Sequence, residues 1–146
     1  MSLDRAMDIS LSGLQAQRLS MELIASNVAN ISTTRTLAGG PYRRRVPILA
    51  EKSLSFAEEL GQAQGRLSFK TGGGVEVSDV VEESSPFQKV YKPEHPDADT
   101  DGFLSMPNVS LSTEMTDLIY TSKLYEANIT AFNATKKMMQ DTLQIQ

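Results

Sequence analysis

Apolar residues recur at a helical interval from Met7 to Asn30. Met7, Leu14, Met21 and Val28 stand seven apart, and Leu11, Ile24 and Ala25 fill neighbouring positions of one helical face. Gln15, Gln17, Ser20 and Glu22 fall largely to the other side. At ~1.5 Å per residue, about 24 residues make a rod of ~36 Å, and so narrow a stripe on so long an element is the pattern of bundle or coiled-coil packing. The far end of the chain repeats it. Leu111, Leu118, Tyr125, Phe132 and Met139 are again seven apart, with Met115, Ile129 and Leu143 on the adjoining line and Ser122 and Lys136 interrupting. Asn128, Thr130 and Asn133 lower the apolar character without breaking the heptad, and polar groups in such seams fix register and partner.

Between these helices the pattern changes. Asn27, Asn30, Ile31, Ser32, Thr33 and Thr34 mark the loss of the first helix, since Asn tolerates a left-handed residue and β-branched and hydroxyl residues favour leaving a helix. Gly39, Gly40 and Pro41 punctuate a turn, and Tyr42 to Leu49 reads as an extended segment that Pro47 confines to an edge. Glu51 to Gly65 reads as a loop with a helical turn near Phe56 to Leu60. Leu67 to Lys70 and Val75 to Val81 alternate as strands of a hairpin joined by Gly72, Gly73 and Gly74, and Phe87 to Tyr91 is a further strand. The middle is thus expected to be one small β element of three or four strands. Pro107 closes an extended Phe103 to Val109, and the last helix starts near Ser110 or Ser112, with Glu114 and Asp117 at its positive end and Lys136 and Lys137 towards its negative one.

The predicted fold class is therefore α+β: long N- and C-terminal helices forming an antiparallel coiled-coil pair, with a small β-rich central insert. Its divisions are an N-terminal heptad helix (1–34), a central extended or β-rich segment (35–108) and a C-terminal heptad helix (109–146).

Composition narrows the chemistry. A chain of 146 residues with net charge −4 and its Lys and Arg spread among acids lacks the basic field of a nucleic-acid binder, despite Arg43, Arg44 and Arg45 in a row. No apolar run approaches the ~20 residues of a spanning helix, so no direct membrane insertion is expected. With no Cys there are no disulfides, thiolate metal sites or Cys nucleophiles. The N-terminus carries Asp4, Arg5 and Asp8 and lacks the apolar block of a secretory leader.

Two stretches resemble reactive sites. Asp97, Asp99, Asp101 and Gly102 match the opening of a calcium-binding EF-hand loop, but its twelfth position is Asn108, where a bidentate Glu is needed, and Pro93 and Pro96 stand where the entering helix belongs. His95 is the sole histidine, with no second group to hold it as a general base and no G-x-S-x-G or H-E-x-x-H motif. The triple glycine lacks the GK[ST] ending of a phosphate loop. No enzyme, cofactor, metal site or small-molecule substrate is expected. The competing reading is a soluble calcium- or protein-binding module.

The stretch SGLQAQRLSMELIASNVAN, then TTRTLAGGPYRRR, then GGGVEVSDVVEESSPFQKVYKPEHPDAD and GFLSMPNVSLSTEMTDLIYTSKLYEANITAFNATKKM together resemble the flagellar rod and hook axial proteins, specifically the basal-body rod members. The most specific parts are the helix end at Ser26, Asn27 and Asn30, the block Gly39, Gly40, Pro41, Tyr42 and Arg43, and Glu114, Met115 and Asn128. The resemblance implies a structural subunit of the proximal rod in the periplasm, exported by the flagellar type III system without a cleaved signal. Its partners would be copies of itself, other rod proteins and the export apparatus. It would form a helical drive shaft that transmits torque and encloses the export channel. The implied assembly seam is Met7, Leu11, Leu14, Met21, Val28, Leu118, Tyr125, Ile129, Phe132 and Met139.

Overall fold

In the computed structural model, which describes residues 3–53 and 73–144, the chain runs as helix α1 (Leu3–Ala29), strands β1 (Arg45–Glu51), β2 (Val75–Glu82), β3 (Gln88–Tyr91) and β4 (Phe103–Met106), and helix α2 (Leu111–Gln144). The α+β class and both long terminal helices agree with the pattern of the sequence. The helical turn expected near Phe56 to Leu60 and the strand Leu67 to Lys70 lie outside the described residues.

α1 ends as its asparagines require, though by another device than a left-handed residue. Among the described residues no non-glycine has a positive φ. Instead the Asn30 side chain donates from Nδ2 to the Ser26 carbonyl at 2.9 Å, and Thr33 Oγ1 donates back to Asn30 Oδ1 at 3.2 Å. The Ser26 carbonyl thereby gains a side-chain donor, and the Asn27 and Val28 carbonyls accept the Asn30 and Ile31 amides at 3.2 and 3.3 Å. At the start of α2, the Ser110 carbonyl accepts the Glu114 amide at 3.0 Å.

The strands do not join into one sheet, contrary to the single β element expected. β1 pairs with β2 and β3 with β4, in two separate two-stranded sheets. Glu83 N donates to Arg44 O and Lys52 N to Gly74 O, so β1 and β2 run in opposite directions. β3 and β4 are antiparallel, from Gln88 opposite Met106 to Tyr91 opposite Phe103. A physical reason lies at the junction. Asn108 Nδ2 donates to the Glu83 carbonyl at 3.1 Å and to Ser85 Oγ at 2.7 Å, so a side chain occupies groups that a continuous sheet would use.

The chain forms two compact units. One holds the described residues of Met1–Arg18, Ile48–Ser78 and Lys123–Gln146. In it Gly13 faces Asn128 closely enough that an added Cβ would lie 2.9 Å from Asn128 Nδ2, so the helices touch through a position with no side chain. Its buried groups include Ser12, Ala16 and Thr135, small or polar.

The other unit is Leu19–Pro47 with Asp79–Ser122. Here the helices run antiparallel: Asn27 meets Glu114, while Ser20 and Thr121, seven residues earlier on α1 and seven later on α2, line one hollow. Ile24, Tyr42, Leu104 and Val109 are buried in this unit, and Leu104 is only 2% exposed. Full burial of such side chains contributes about 1.5–3 kcal/mol each, so most of the apolar stabilisation among the described residues belongs here.

Candidate functional site, a polar clamp around Arg44

Residues Tyr42 to Arg45 approach β1 as extended chain, and successive side chains of an extended chain point to opposite sides. Tyr42 and Arg44 turn inward. Arg43 and Arg45 turn out, Arg43 stacking its guanidinium 4.3 Å from the Phe87 ring centre and donating to the Glu83 carbonyl, Arg45 lying half exposed and 3.9 Å from Glu82. The three arginines that read as one basic patch therefore do different things.

Arg44 meets three carboxylates. Nε donates to Glu114 Oε1 at 2.5 Å, Nη2 to Asp117 Oδ2 at 2.8 Å and Nη1 to Glu83 Oε2 at 3.1 Å. Its backbone N–H donates to Asn108 Oδ1 at 2.8 Å. The planar guanidinium offers each carboxylate its own nitrogen in a fixed fork, whereas a lysine would have to share one nitrogen among all three. Burial works against the charge, but the hydrogen bond and attraction of Glu114, then those of Glu83, outweigh it and raise the Arg44 pKa above its ordinary value.

Glu114 is 0% exposed and Asn27 1%. Asn27 uses all its polar capacity. Nδ2 donates to Glu114 Oε2 at 3.1 Å and to the Arg45 carbonyl at 3.0 Å, while Oδ1 accepts Tyr42 Oη at 2.9 Å and Arg45 N at 2.9 Å. An aspartate there could make neither donation and would set one carboxylate against another. The clamp therefore ties the end of α1, the start of α2, the approach to β1 and the end of β2 within one unit. What it does chemically is fix geometry.

The motif residues Asn27, Tyr42 and Glu114 are brought together. Arg43 touches the edge of the clamp, Asn30 caps α1, and Ser26 is half-buried beside it. Gly39 and Gly40, with φ of 87° and 80°, form a tight turn before half-buried Pro41. Met115 is exposed, and Asn128 faces Gly13 in the other unit. Reading the sequence missed Arg44, Asn108, Asp117 and Glu83 as members. The signal for Arg44 was the two-residue period of extended chain, which singles out every second member of an arginine run.

The apolar heptads are not the deepest lines of their helices. On α1, Met7, Leu14, Met21 and Val28 are half-buried and Leu11 is exposed, while Ser12, Ala16, Ile24 and Asn27 are buried. At ~100° per residue the two lines lie roughly 130° apart around the helix. On α2, Tyr125, Phe132 and Met139 are half-buried and Leu118 and Ile129 exposed, whereas the buried line is Glu114, Thr121 and Thr135 with Asn128 half-buried between them, all seven apart. Small and hydrogen-bonded side chains thus occupy the inner lines.

The remaining motifs have structural uses. Asp97 accepts a hydrogen bond from Thr34 Oγ1 at 2.7 Å and Asp99 accepts from Thr100 N at 2.8 Å, and among the described residues no group of three such side chains converges on a metal position. His95 Nδ1 accepts the Asp97 amide at 3.2 Å. The glycines before β2 serve close approach: a Cβ on Gly73 would lie 2.6 Å from the Lys52 carbonyl, and one on Gly74, where φ is 100°, would strike Ser12 Oγ. That hydroxyl accepts Val75 N at 3.1 Å and donates to the Ile9 carbonyl.

Comparison with known proteins accords with a site that holds shape. Residues 7–35 match the family described as Flagella basal body rod protein, and residues 100–145 the Flagellar basal body rod FlgEFG protein C-terminal family. The chain is thus one of the flagellar basal-body rod proteins, which are structural subunits and not enzymes. It is 42% identical over 144 residues to Flagellar basal-body rod protein FlgC of Bacillus subtilis (strain 168), covering 96% of this chain and 95% of that one. It is 38% identical over 149 residues to the FlgC of Borreliella burgdorferi, covering 99% and 98%, and 34% identical to that of Salmonella typhimurium, covering 99% and 98%. The chain belongs to the FlgC family. These relatives lend no support to the alternative of a calcium- or protein-binding module.

Proposed function

We propose that this chain joins copies of itself and other rod proteins in the proximal rod, a helical shaft in the periplasm that transmits torque and encloses the export channel. The observation that carries this reading is whole-length similarity to proteins named as FlgC, and the surface supports it. Leu111, Met115, Leu118 and Ile119 form an exposed ridge over the first turns of α2, and Leu11 and Ile129 are each exposed in the other unit. Exposed apolar ridges mark places where another chain is received.

In this reading Met7, Leu11, Leu14, Met21 and Val28 of α1 and Leu118, Tyr125, Ile129, Phe132 and Met139 of α2 pack against neighbouring helices. α1 and α2 form an antiparallel coiled-coil pair whose inner line is polar and whose outer line is apolar. Torque passes through many such contacts, and the Arg44 clamp keeps the two helices in one register under load. Passage through the flagellar type III apparatus completes the route, and the chain acts with no nucleic acid, cofactor or small-molecule substrate.

The experiment is complementation of a strain lacking this chain with Leu118→Asp. Because Leu118 is exposed, the variant is expected to accumulate at normal level and to abolish motility. Full motility would overturn the proposal.

A further inference from the structure

His95 is the only histidine in the chain, and its surroundings fix which ring nitrogen carries the proton. Nδ1 accepts the backbone amide of Asp97 at 3.2 Å. An amide N–H can only donate, so Nδ1 is bare in this arrangement and the imidazole is neutral, with its hydrogen on Nε2. The same Nδ1 lies 3.9 Å from Asp97 Oδ2, too far for a hydrogen bond but close enough for attraction once the ring is charged. One nitrogen therefore faces two groups of Asp97 that suit opposite protonation states. The His95 and Asp97 side chains are 34% and 30% exposed, so water can deliver and remove the proton.

The carboxylate already has a task. Asp97 Oδ2 accepts Thr34 Oγ1 at 2.7 Å, across 63 positions of sequence, and so ties the stretch after α1 to the loop between β3 and β4. Both segments belong to the unit that holds the clamp. On either side of the tie the backbone is braced separately. Thr36 N donates to Gly40 O and Gly39 N to Thr36 O in one segment, and Lys92 N to Gly102 O and Ala98 N to His95 O in the other. Two segments that each keep their own shape, joined at a carboxylate oxygen, can part there without unfolding. Other charges stand close by. Arg35 and Asp99 line one hollow with Thr34 and Asp97, and Lys92 and Glu94 line another with His95. Each of these pairs brings one cation and one anion, which leaves Asp97 as the unbalanced charge among the groups lining the two hollows.

We propose that His95 and Asp97 form a pH-sensitive latch: when Nδ1 takes up a proton it releases the Asp97 amide and turns to the Asp97 carboxylate, which gives up Thr34. Loss of the amide bond is obligatory, because a protonated Nδ1 has no lone pair to offer. In its place the imidazolium gains a charge-assisted bond, the stronger kind, and Oδ2 is drawn towards the ring. Histidine side chains ordinarily change charge between about pH 5 and 8, so the latch is closed at the upper end of that range and open at the lower. The turn at 36–40 retains its own hydrogen bonds and is released as a unit. This device does not depend on the rod-subunit reading.

The test is an NMR titration of the full chain from about pH 8 to 5, read at the His95 ring, the Asp97 amide and the Thr34 amide. With a single histidine the ring signal has no rival. In the natural sequence both amides are expected to move with the midpoint of the ring. In His95→Gln, which keeps an acceptor and has no proton to gain in this range, both should stay still. In Asp97→Asn the ring should still titrate while the Thr34 response is lost, which separates a relay through the carboxylate from a charge felt across space. A Thr34 amide that ignores the titrating ring, or that answers equally in either variant, overturns the proposal, as does a ring that stays neutral throughout. The rod reading stands in each of these cases.

Discussion

Arg44 Nε lies 2.5 Å from Glu114 Oε1, and Glu114 has no surface left for water. A carboxylate in that position depends on its cation, because taking a charge out of water costs several kcal/mol unless attraction and further hydrogen bonds offset it. Asn27 supplies the further bond at the second oxygen. The pair therefore holds the start of α2 against the approach to β1, with the end of α1 as third member.

Replacing Arg44 by Met removes the cation and keeps most of the stem. The expected loss is about 3–5 kcal/mol, since an uncompensated buried carboxylate remains. Urea titration would measure it, and Arg44→Met with Glu114→Gln should recover at least half. A single-variant loss below about 1 kcal/mol would deny the clamp its organising role. The raised pKa of Arg44 fixes the pH dependence. A cation whose pKa is higher in the folded state contributes fully below its unfolded value and loses the contribution only as pH climbs through the folded one, in the strongly alkaline range. The gap between wild type and variant should stay flat from about pH 6 to 9.

Asn27→Asp changes one atom and should destabilise by about 3 kcal/mol or more, because two donations are lost and a second carboxylate faces Glu114. Tyr42→Phe, which removes only the bond to Asn27 Oδ1, should cost about 1–2 kcal/mol. Equal effects from the two variants in thermal or urea unfolding would contradict the assigned roles.

Two glycines should answer differently to the same methyl group. Gly74→Ala meets both a left-handed backbone and the Ser12 hydroxyl, and a loss of about 2 kcal/mol or more is expected. Gly13→Ala meets only the movable end of the Asn128 side chain, and better helix propensity offsets that shift, so stability should change by less than about 1 kcal/mol. Chemical denaturation of both variants checks the contrast, and a Gly13→Ala loss equal to that of Gly74→Ala would refute it.

Hydrogen exchange on the isolated chain should be uneven. Ile24, Tyr42, Leu104 and Val109 are buried in the unit that holds the clamp, whereas Ala16 is the buried apolar residue among those described in the other. Amides near Asn27 and Thr121 are expected to be protected, and those near Leu14 and Thr135 to exchange early and gain protection in the rod. Strong protection at Leu14 and Leu118 alike in the free chain would oppose this.

Local pattern was enough to place both helices, the strands at Val75 and Phe87, the extended stretch from Phe103 and, through its glycines and proline, the turn at Gly39, because each rests on local preferences that neighbours in the chain supply. The helix-end motif and the glycine–proline block were legible as a family signature before their use was visible. Which helical line lies inward was not legible: apolar heptads pointed to Leu14 and Leu118, yet the buried lines run through Ser12 and Asn27 and through Glu114, Thr121 and Thr135. Small or fully hydrogen-bonded side chains let backbones approach closely, and that advantage exists only once the partner helix is present. The same holds for Arg44, one of three equal arginines in the sequence and the centre of a buried network in the fold. Its role depends on Glu83, Asn108, Glu114 and Asp117, residues far along the chain that only folding brings to its side.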